Sequence, residues 1–315
     1  MAPPDNLYDQ INRNKRRSWI LIILVILLLG AVGFLIGGAY GNPSLGLVAA
    51  VAASFVFALI SYFSGDRIVL GLMGAVPADP TEYRVLHNVV EEMAIAAGLS
   101  KPKVYVIRSG ASNAFATGRE PGRASIAVTT GLLEILNREE LQGVIGHEMS
   151  HIRHFDTRYA VLMAVLVGAI VILCDSFWRA SRWGGFKSRK GAQAAALIFV
   201  LALLLSVVAP LFARIIQFAM SRTREFLADS GGAELTRNPL GLAHALDKIS
   251  ADPDPLDIAN RGTQHLFIVN PLNTYSGSTW AVGLFSTHPP IKERIKILND
   301  LAHVYRSKNE KATVI

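Results

Sequence analysis

The chain has 315 residues, of which 51% are apolar and only 17% charged, with a mean hydropathy of +0.35. A soluble globule carries about a quarter charged residues; here the deficit falls in blocks, with no Asp, Glu, Lys or Arg from Ser18 to Gly65 or from Gly191 to Ala213. That excludes an ordinary soluble enzyme, and a net charge of +7 set beside apolar blocks reports membrane orientation rather than nucleic acid binding.

Residues 1–17 read as a basic tail whose Arg13, Lys15, Arg16 and Arg17 keep the N-terminus in the cytoplasm by the positive-inside rule. The first uncharged block divides at Tyr40-Gly41-Asn42-Pro43-Ser44, a turn composition, which predicts two transmembrane helices over 18–39 and 44–64. A cleaved signal peptide is the rival reading of the first. Its apolar core is too long for that, and no small-x-small site closes it. A third apolar segment covers 159–174 and a fourth 191–213, with Pro210 as a kink and a basic loop between them. The pair is either a complete hairpin or partly re-entrant. Under either topology 65–158 and 214–315 face the same side and can build one domain. The single cysteine, Cys174, excludes a disulfide framework and reads as a small packing residue.

In the polar regions, periodicity predicts a helix over Asp79–Ala97 stopped by Gly98, and a strand over Lys103–Arg108. Ser112–Arg119 is a loop or short edge strand, and Ala124–Thr129 a second strand. Asn137 with Glu140 three residues on forms the capping-box signature, opening the helix that carries the chemistry. Helices follow over Arg222 to Glu234, Pro239–Ile249 and Pro290–Tyr305, with a loop from Asn270 to Thr287. The stretch Arg261–Phe285 has two open readings: a gate over a cleft, or a segment resting on headgroups.

Gly146-His147-Glu148-Met149-Ser150-His151 contains H-E-x-x-H. A spacing of four puts both imidazoles on one helix face, close enough to share an ion, with Glu148 beside them to take a proton from metal-activated water. A catalytic zinc keeps three protein ligands, and two candidates exist for the third. His154 shares the face, but at i+7 it is about 10 Å along the axis from His147, so a polar helix-end residue is the better reading. Glu225, in Arg224-Glu225-Phe226-Leu227-Ala228-Asp229, is favoured. Asp229 lies on the same face at i+4 and can accept the second N–H of a ligand histidine.

H-E-x-x-H, E-F-x-A-D some seventy residues later, S-T-H-P near the C-terminus and hydrophobic helices flanking the catalytic helix together resemble the HtpX-like membrane zinc endopeptidases. These belong to the same broad family as the CAAX prenyl proteases. The resemblance implies a mainly α membrane protein in which a gluzincin-type α+β protease domain with a small β-sheet joins about four hydrophobic helices. It makes His147, His151 and Glu225 ligands to one zinc per chain, Glu148 the general base and Asp229 the outer partner of His147. It also makes His288 the group that hydrogen-bonds the oxyanion. Asn113 and Ala114 resemble the edge-strand segment that pairs with substrate backbone; without the resemblance they read equally well as a plain turn.

The expected activity is hydrolysis of peptide bonds in membrane or misfolded proteins, at the cytoplasmic face of a bacterial inner membrane, in protein quality control. The partners are polypeptides and the lipid bilayer, with no nucleic acid. Two alternatives stand beside it. One is a CAAX-type processing protease, disfavoured by only four apolar segments; the other is a non-catalytic scaffold with a structural zinc site, disfavoured by the lack of a fourth ligand.

Overall fold

The computed structural model describes residues 7–39, 42–167, 222–252, 254, 256, 263–269 and 289–313. The fourth apolar segment, residues 168–174 of the third, Cys174, the loop 270–287 and His288 lie outside the described residues.

Two long helices open the chain, α1 (Leu7–Ala39) and α2 (Pro43–Leu72). Between them Asn42 accepts the Leu45 N–H with its side chain, and Pro43 starts the helix where a missing N–H costs nothing. Both are long and apolar enough to cross a membrane, over Ile11–Phe34 and Pro43–Leu72. They turn Trp19, Ile23 and Leu27, and Phe55, Ile60 and Phe63, outward. Both also outrun their expected limits: α1 begins at Leu7 instead of Ser18, and α2 continues past Gly65 and Asp66-Arg67. Charges mark where a helix leaves apolar surroundings, not where its hydrogen bonds stop, and neither extension contains a strong breaker such as proline. The basic residues 13–17 are therefore helical, and Asn14 and Ser18 are buried against the rest of the protein.

A four-stranded mixed sheet comes next: β1 (Val76–Pro77), β2 (Lys103–Ile107), β3 (Ala114–Thr117) and β4 (Ser125–Thr129), in the order β1-β2-β4-β3. β2 and β4 run parallel, Lys103 opposite Ser125 and Ile107 opposite Thr129, while β3 is antiparallel to β4 and forms the edge. Val104, Val106, Ile126 and Val128 face one core; Ile107, Phe115 and Ala127 face another, built with Val69 and Met73 of α2 and with Phe267. Both faces are covered, so every position of β3 and β4 is buried, including Thr117, Ser125 and Thr129. α3 (Arg84–Ala97) starts later than Asp79. The Asp79 carboxylate instead caps a preceding turn, accepting the Thr81 and Glu82 N–H groups. Gly98, left-handed at φ 66°, ends α3.

The remaining helices are α4 (Thr130–Ile135), α5 (Arg138–Arg153), α6 (Asp156–Leu162), which continues into a π-helical turn (Met163–Val167), α7 (Arg222–Thr236), α8 (Pro239–Ala251) and α9 (Ile291–Thr313). α5 runs through the larger core on Val144, Ile145, Met149 and Ile152 beside α3 and α8. Tyr159, Leu162 and Met163 of α6 pack on Leu21 and Val25 of α1 and Ala58 of α2. Through α6, the part of the chain built around α5 rests directly on the apolar helices.

Candidate metal centre

α5 begins with a complete capping box. Asn137 Oδ1 accepts the Glu140 N–H at 3.0 Å, and Glu140 Oε2 accepts the Asn137 N–H at 2.8 Å. Two turns on, His147 and His151 project from one face, their rings 4.7 Å apart at 90°. α7 crosses α5 closely enough to bring Glu225 opposite them. The crossing depends on Gly232, where a Cβ would sit 2.8 Å from His147 N, so only glycine lets the two backbones approach this far.

The Nε2 atoms of His147 and His151 lie 3.2 Å apart. Glu225 Oε2 is 3.7 Å from the first and Oε1 is 3.7 Å from the second. Tetrahedral ligands held about 2.1 Å from a zinc ion stand roughly 3.4 Å from one another. Two imidazole nitrogens and a carboxylate oxygen at this spacing fit such an ion, and among the described residues His147, His151 and Glu225 are the group that converges in this way. His154 ends α5 and turns its Nδ1 back to the Ser150 carbonyl at 2.6 Å, as a helix-end residue would.

Each histidine is oriented by a carboxylate on its other nitrogen. His147 Nδ1 lies 2.9 Å from Asp229 Oδ1, the partner that the i+4 spacing from Glu225 had suggested. Asp229 in turn receives two bonds from Arg294 of α9, Nε to Oδ2 at 2.8 Å and Nη2 to Oδ1 at 2.7 Å. The same Nη2 passes 3.4 Å from His147 Nδ1; the shorter Asp229 contact takes the imidazole proton, leaving Nε2 free for an ion. Burial alone would raise the Asp229 carboxyl, but the Arg294 guanidinium holds it far below its ordinary range.

His151 Nδ1 lies 3.0 Å from Asp156 Oδ2. Asp156 opens α6, just past a turn in which Phe155 adopts a left-handed φ of 60°. Its other oxygen takes Asn14 Nδ2 of α1 at 2.7 Å and Arg224 Nη1 of α7 at 3.4 Å. Burial alone would lower the His151 imidazole, yet the Asp156 hydrogen bond and the Glu225 charge lift it to about 9. Asp156 itself is held below its ordinary range by His151 and Arg224, against the effect of burial.

Glu148 is buried between these arms. Burial raises its carboxyl, partly offset by the two histidines and by the Ala116 N–H of β3. Glu148, the two histidines and Glu225 line a pocket whose wall also includes His265, Leu266, Phe267 and Ile268. This short segment runs beside the sheet edge: Ala114 C=O accepts the Ile268 N–H at 3.0 Å, and Phe267 packs edge-on against Phe115. Asn113, 4% exposed, donates to the Val269 carbonyl at 2.9 Å and accepts the Ala114 N–H at 3.1 Å.

The structure thus brings His147, Glu148, His151, Glu225 and Asp229 together; of β3 it is Ala116 that lines the pocket, while Ala114 bonds the segment beside it. His288 falls outside the described residues. Sequence reasoning missed Asp156, Asn14 and Arg294; of the stretch 261–285, left open between a gate over a cleft and a segment on headgroups, residues 265–268 line the pocket. Arg294 reads in the sequence as one more charge on an amphipathic helix. Asp156 lies five residues beyond His151, past a turn that helical spacing does not foresee.

The chain is similar to known proteins over most of its length. The model of peptidase family M48 matches residues 80–302. A protein described as "Protease HtpX homolog" from Thermoanaerobacter pseudethanolicus is 44% identical, over 94% of this chain and 98% of its own length. Another of the same description, from Caldanaerobacter subterraneus subsp. tengcongensis, is 45% identical with the same coverage. The crystal structure of S. mikatae Ste24p is similar at 20% identity and a TM-score of 0.49, covering 88% of this chain and 62% of that one. With a family model spanning most of the chain and near full-length relatives, the protein belongs to peptidase family M48, among the HtpX-type metalloendopeptidases.

Proposed function

We propose that this protein is a membrane-anchored zinc endopeptidase that cleaves membrane or misfolded proteins at the cytoplasmic face of a bacterial inner membrane, as part of protein quality control. The observation that carries this reading is the convergence of His147, His151 and Glu225 around one point, with Glu148 beside it. His147, His151 and Glu225 hold the zinc, one per chain. When bound there, zinc supplies Lewis acidity, which acidifies a water and polarises a peptide carbonyl. Glu148 takes the proton from that water and returns it to the leaving amine; its raised pKa suits a group that must do both. Asp229 and Asp156 keep the two imidazoles in the tautomer that presents Nε2. His288 donates a hydrogen bond to the oxygen that gains charge.

A substrate strand lies along β3, taking over the Ala114 carbonyl that Ile268 N–H now occupies. Asn113 acts beside it by holding Val269. α1 and α2 anchor the chain, together with the apolar segments 159–174 and 191–213. Arg13, Lys15, Arg16 and Arg17 set the N-terminus, and with it the active site, on the cytoplasmic side.

Zinc content and casein cleavage, measured in detergent on the wild type and on Glu148→Gln, test this. We expect one zinc in both proteins and cleavage only in the wild type, lost to a chelator. Loss of zinc from Glu148→Gln would contradict its role as base, since the base is not a ligand. Zinc in both with cleavage in neither would favour a structural site.

A further inference from the structure

Asn14 lies at the polar end of a helix that is otherwise an apolar anchor, and it is only 3% exposed. Both hydrogens of its side-chain amide are spent on one short turn far along the chain. Nδ2 donates to Asp156 Oδ1 at 2.7 Å and to the His154 carbonyl at 3.0 Å. The other oxygen of the same carboxylate meets His151 Nδ1 at 3.0 Å. Asp156 is therefore gripped at both oxygens, one by α1 and one by a ring aimed at the metal site. The plane in which Asp156 receives the imidazole proton, and so the direction of Nε2, follows from where Asn14 holds it.

The neighbouring side chain repeats the grip. Lys15 Nζ sits 4.6 Å from the centre of the Phe155 ring, and Phe155 is the residue held in a left-handed conformation that a bulky side chain adopts only under constraint from outside. α1 is seated here by Leu21, Ile22 and Val25 against Tyr159, Leu162 and Met163. Sliding α1 by a single residue rise, about 1.5 Å, would break the Asn14 bond to Asp156. A neutral amide also suits the position, because it orients the carboxylate without bringing a third cation towards a site built to hold one.

Resting on the zinc reading above, we infer that Asn14 is a positioning residue of the metal centre: through Asp156 it aims His151, which makes the membrane helix α1 a working wall of the active site as well as an anchor.

The test uses the full chain in detergent and measures cobalt and zinc dissociation constants against a competing chromogenic chelator, with the cobalt visible spectrum as a report on ligand geometry. Asn14→Asp keeps the shape, removes the amide donor and faces Asp156 with a like charge. It should weaken metal binding about tenfold, the lower end for loss of an outer partner, and alter the cobalt spectrum; Asn14→Leu should do so about threefold. In an Asp156→Ala background both losses should vanish, because the route to His151 is already cut. Asn14→Ala, which favours the helix, carries the same test if Asn14→Asp does not fold. Wild-type affinity and spectrum in the Asn14 variants would overturn the proposal, as would an equal loss in the Asp156→Ala background, which marks a packing role. A wild-type chain that takes up no metal sinks the zinc reading and this proposal with it; equal binding by wild type and variants sinks this proposal alone.

Discussion

His147 and His151 stand one turn apart on α5, and each meets a carboxylate with its Nδ1, yet the two carboxylates are held by different parts of the molecule. The Asp229 arm lies wholly within the polar part of the chain: α5, α7 and α9 meet around Arg294, which is 0% exposed and binds Asp229 with two short hydrogen bonds. The Asp156 arm reaches to the apolar helices. Its cation, Arg224, stands 3.4 Å from the carboxylate, and the shortest bond comes from the neutral Asn14 of α1. One arm is locked into a core. The other is seated against an element whose position depends on its surroundings. The Asp229 arm should therefore carry more of the stability, and the Asp156 arm more of the adjustable part of metal binding.

The largest expected effect tests that division. Arg294→Met strands Asp229 as a buried charge, and breaking such a pair costs about 3–5 kcal/mol, a large share of ordinary stability. Thermal unfolding of the full chain should show a steep fall in Tm, partly recovered in Asp229→Asn/Arg294→Met because the carboxylate that Arg294 binds most closely is then neutral too. Arg224→Met removes a 3.4 Å contact to Asp156, which keeps its Asn14 and His151 bonds, and a cation over the Tyr159 ring; it should cost less, about 1–2 kcal/mol. Equal losses for the two arginines would erase the proposed difference between the arms.

What the sequence disclosed follows the same line. His147, Glu148 and His151 are legible because a helix repeats locally, and Glu225 and Asp229 because they share one face of another helix. The capping box at Asn137 and Glu140 is equally local, and its bonds form as read. Asp156 is reached only through the left-handed turn at Phe155, which no periodicity encodes. Asn14 and Arg294 become neighbours of the site through packing across more than a hundred residues. The helix limits failed for a related reason: the run of uncharged residues marks the apolar surroundings of α1, whereas its hydrogen bonding continues back through the basic residues to Leu7.

Metal affinity sharpens the comparison. Removing an outer carboxylate partner costs about 10–100-fold in affinity. Asp156→Asn should fall in that range with Tm nearly kept. Asp229→Asn should lose comparable affinity and stability together, since it leaves the buried Arg294 with the longer 3.8 Å contact to Glu225 in place of two short hydrogen bonds. Chelator competition and calorimetry on the same preparations read both quantities. A stable Asp229→Asn beside an unfolded Asp156→Asn would reverse the assignment.

The arms should also differ in pH response. In the metal-free chain His151 holds its proton up to about 9, so metal uptake must release it. Apparent affinity should rise with pH by about one decade per unit between the ordinary imidazole value of about 6.5 and that point, then level off. For the metal-free chain the linkage runs the other way. A folded-state pKa raised above the unfolded one adds stability in full below about 6.5, and that stability is lost as pH rises through about 9. Asp156→Asn, which removes the carboxylate charge that helps raise His151, should move the break in the affinity profile downward. A profile left in place would mean that Asp156 does not set the His151 proton.

The smallest effect belongs to Lys15, at the outer end of the same arm. Lys15→Met keeps the stem that packs on the turn and removes one of two cations over the Phe155 ring, Arg158 remaining at 5.2 Å, a contact worth about 0.5–1 kcal/mol where it is partly exposed. Phe155 would remain left-handed, because the Asn14 bonds to His154 and Asp156 still close the turn. Tm should drop slightly and metal affinity should stay within about twofold, since a contact of this size is worth only a small factor in any equilibrium it touches indirectly. A loss as large as that of Asp156→Asn would mean that the turn itself, rather than the carboxylate it presents, is the element α1 supports.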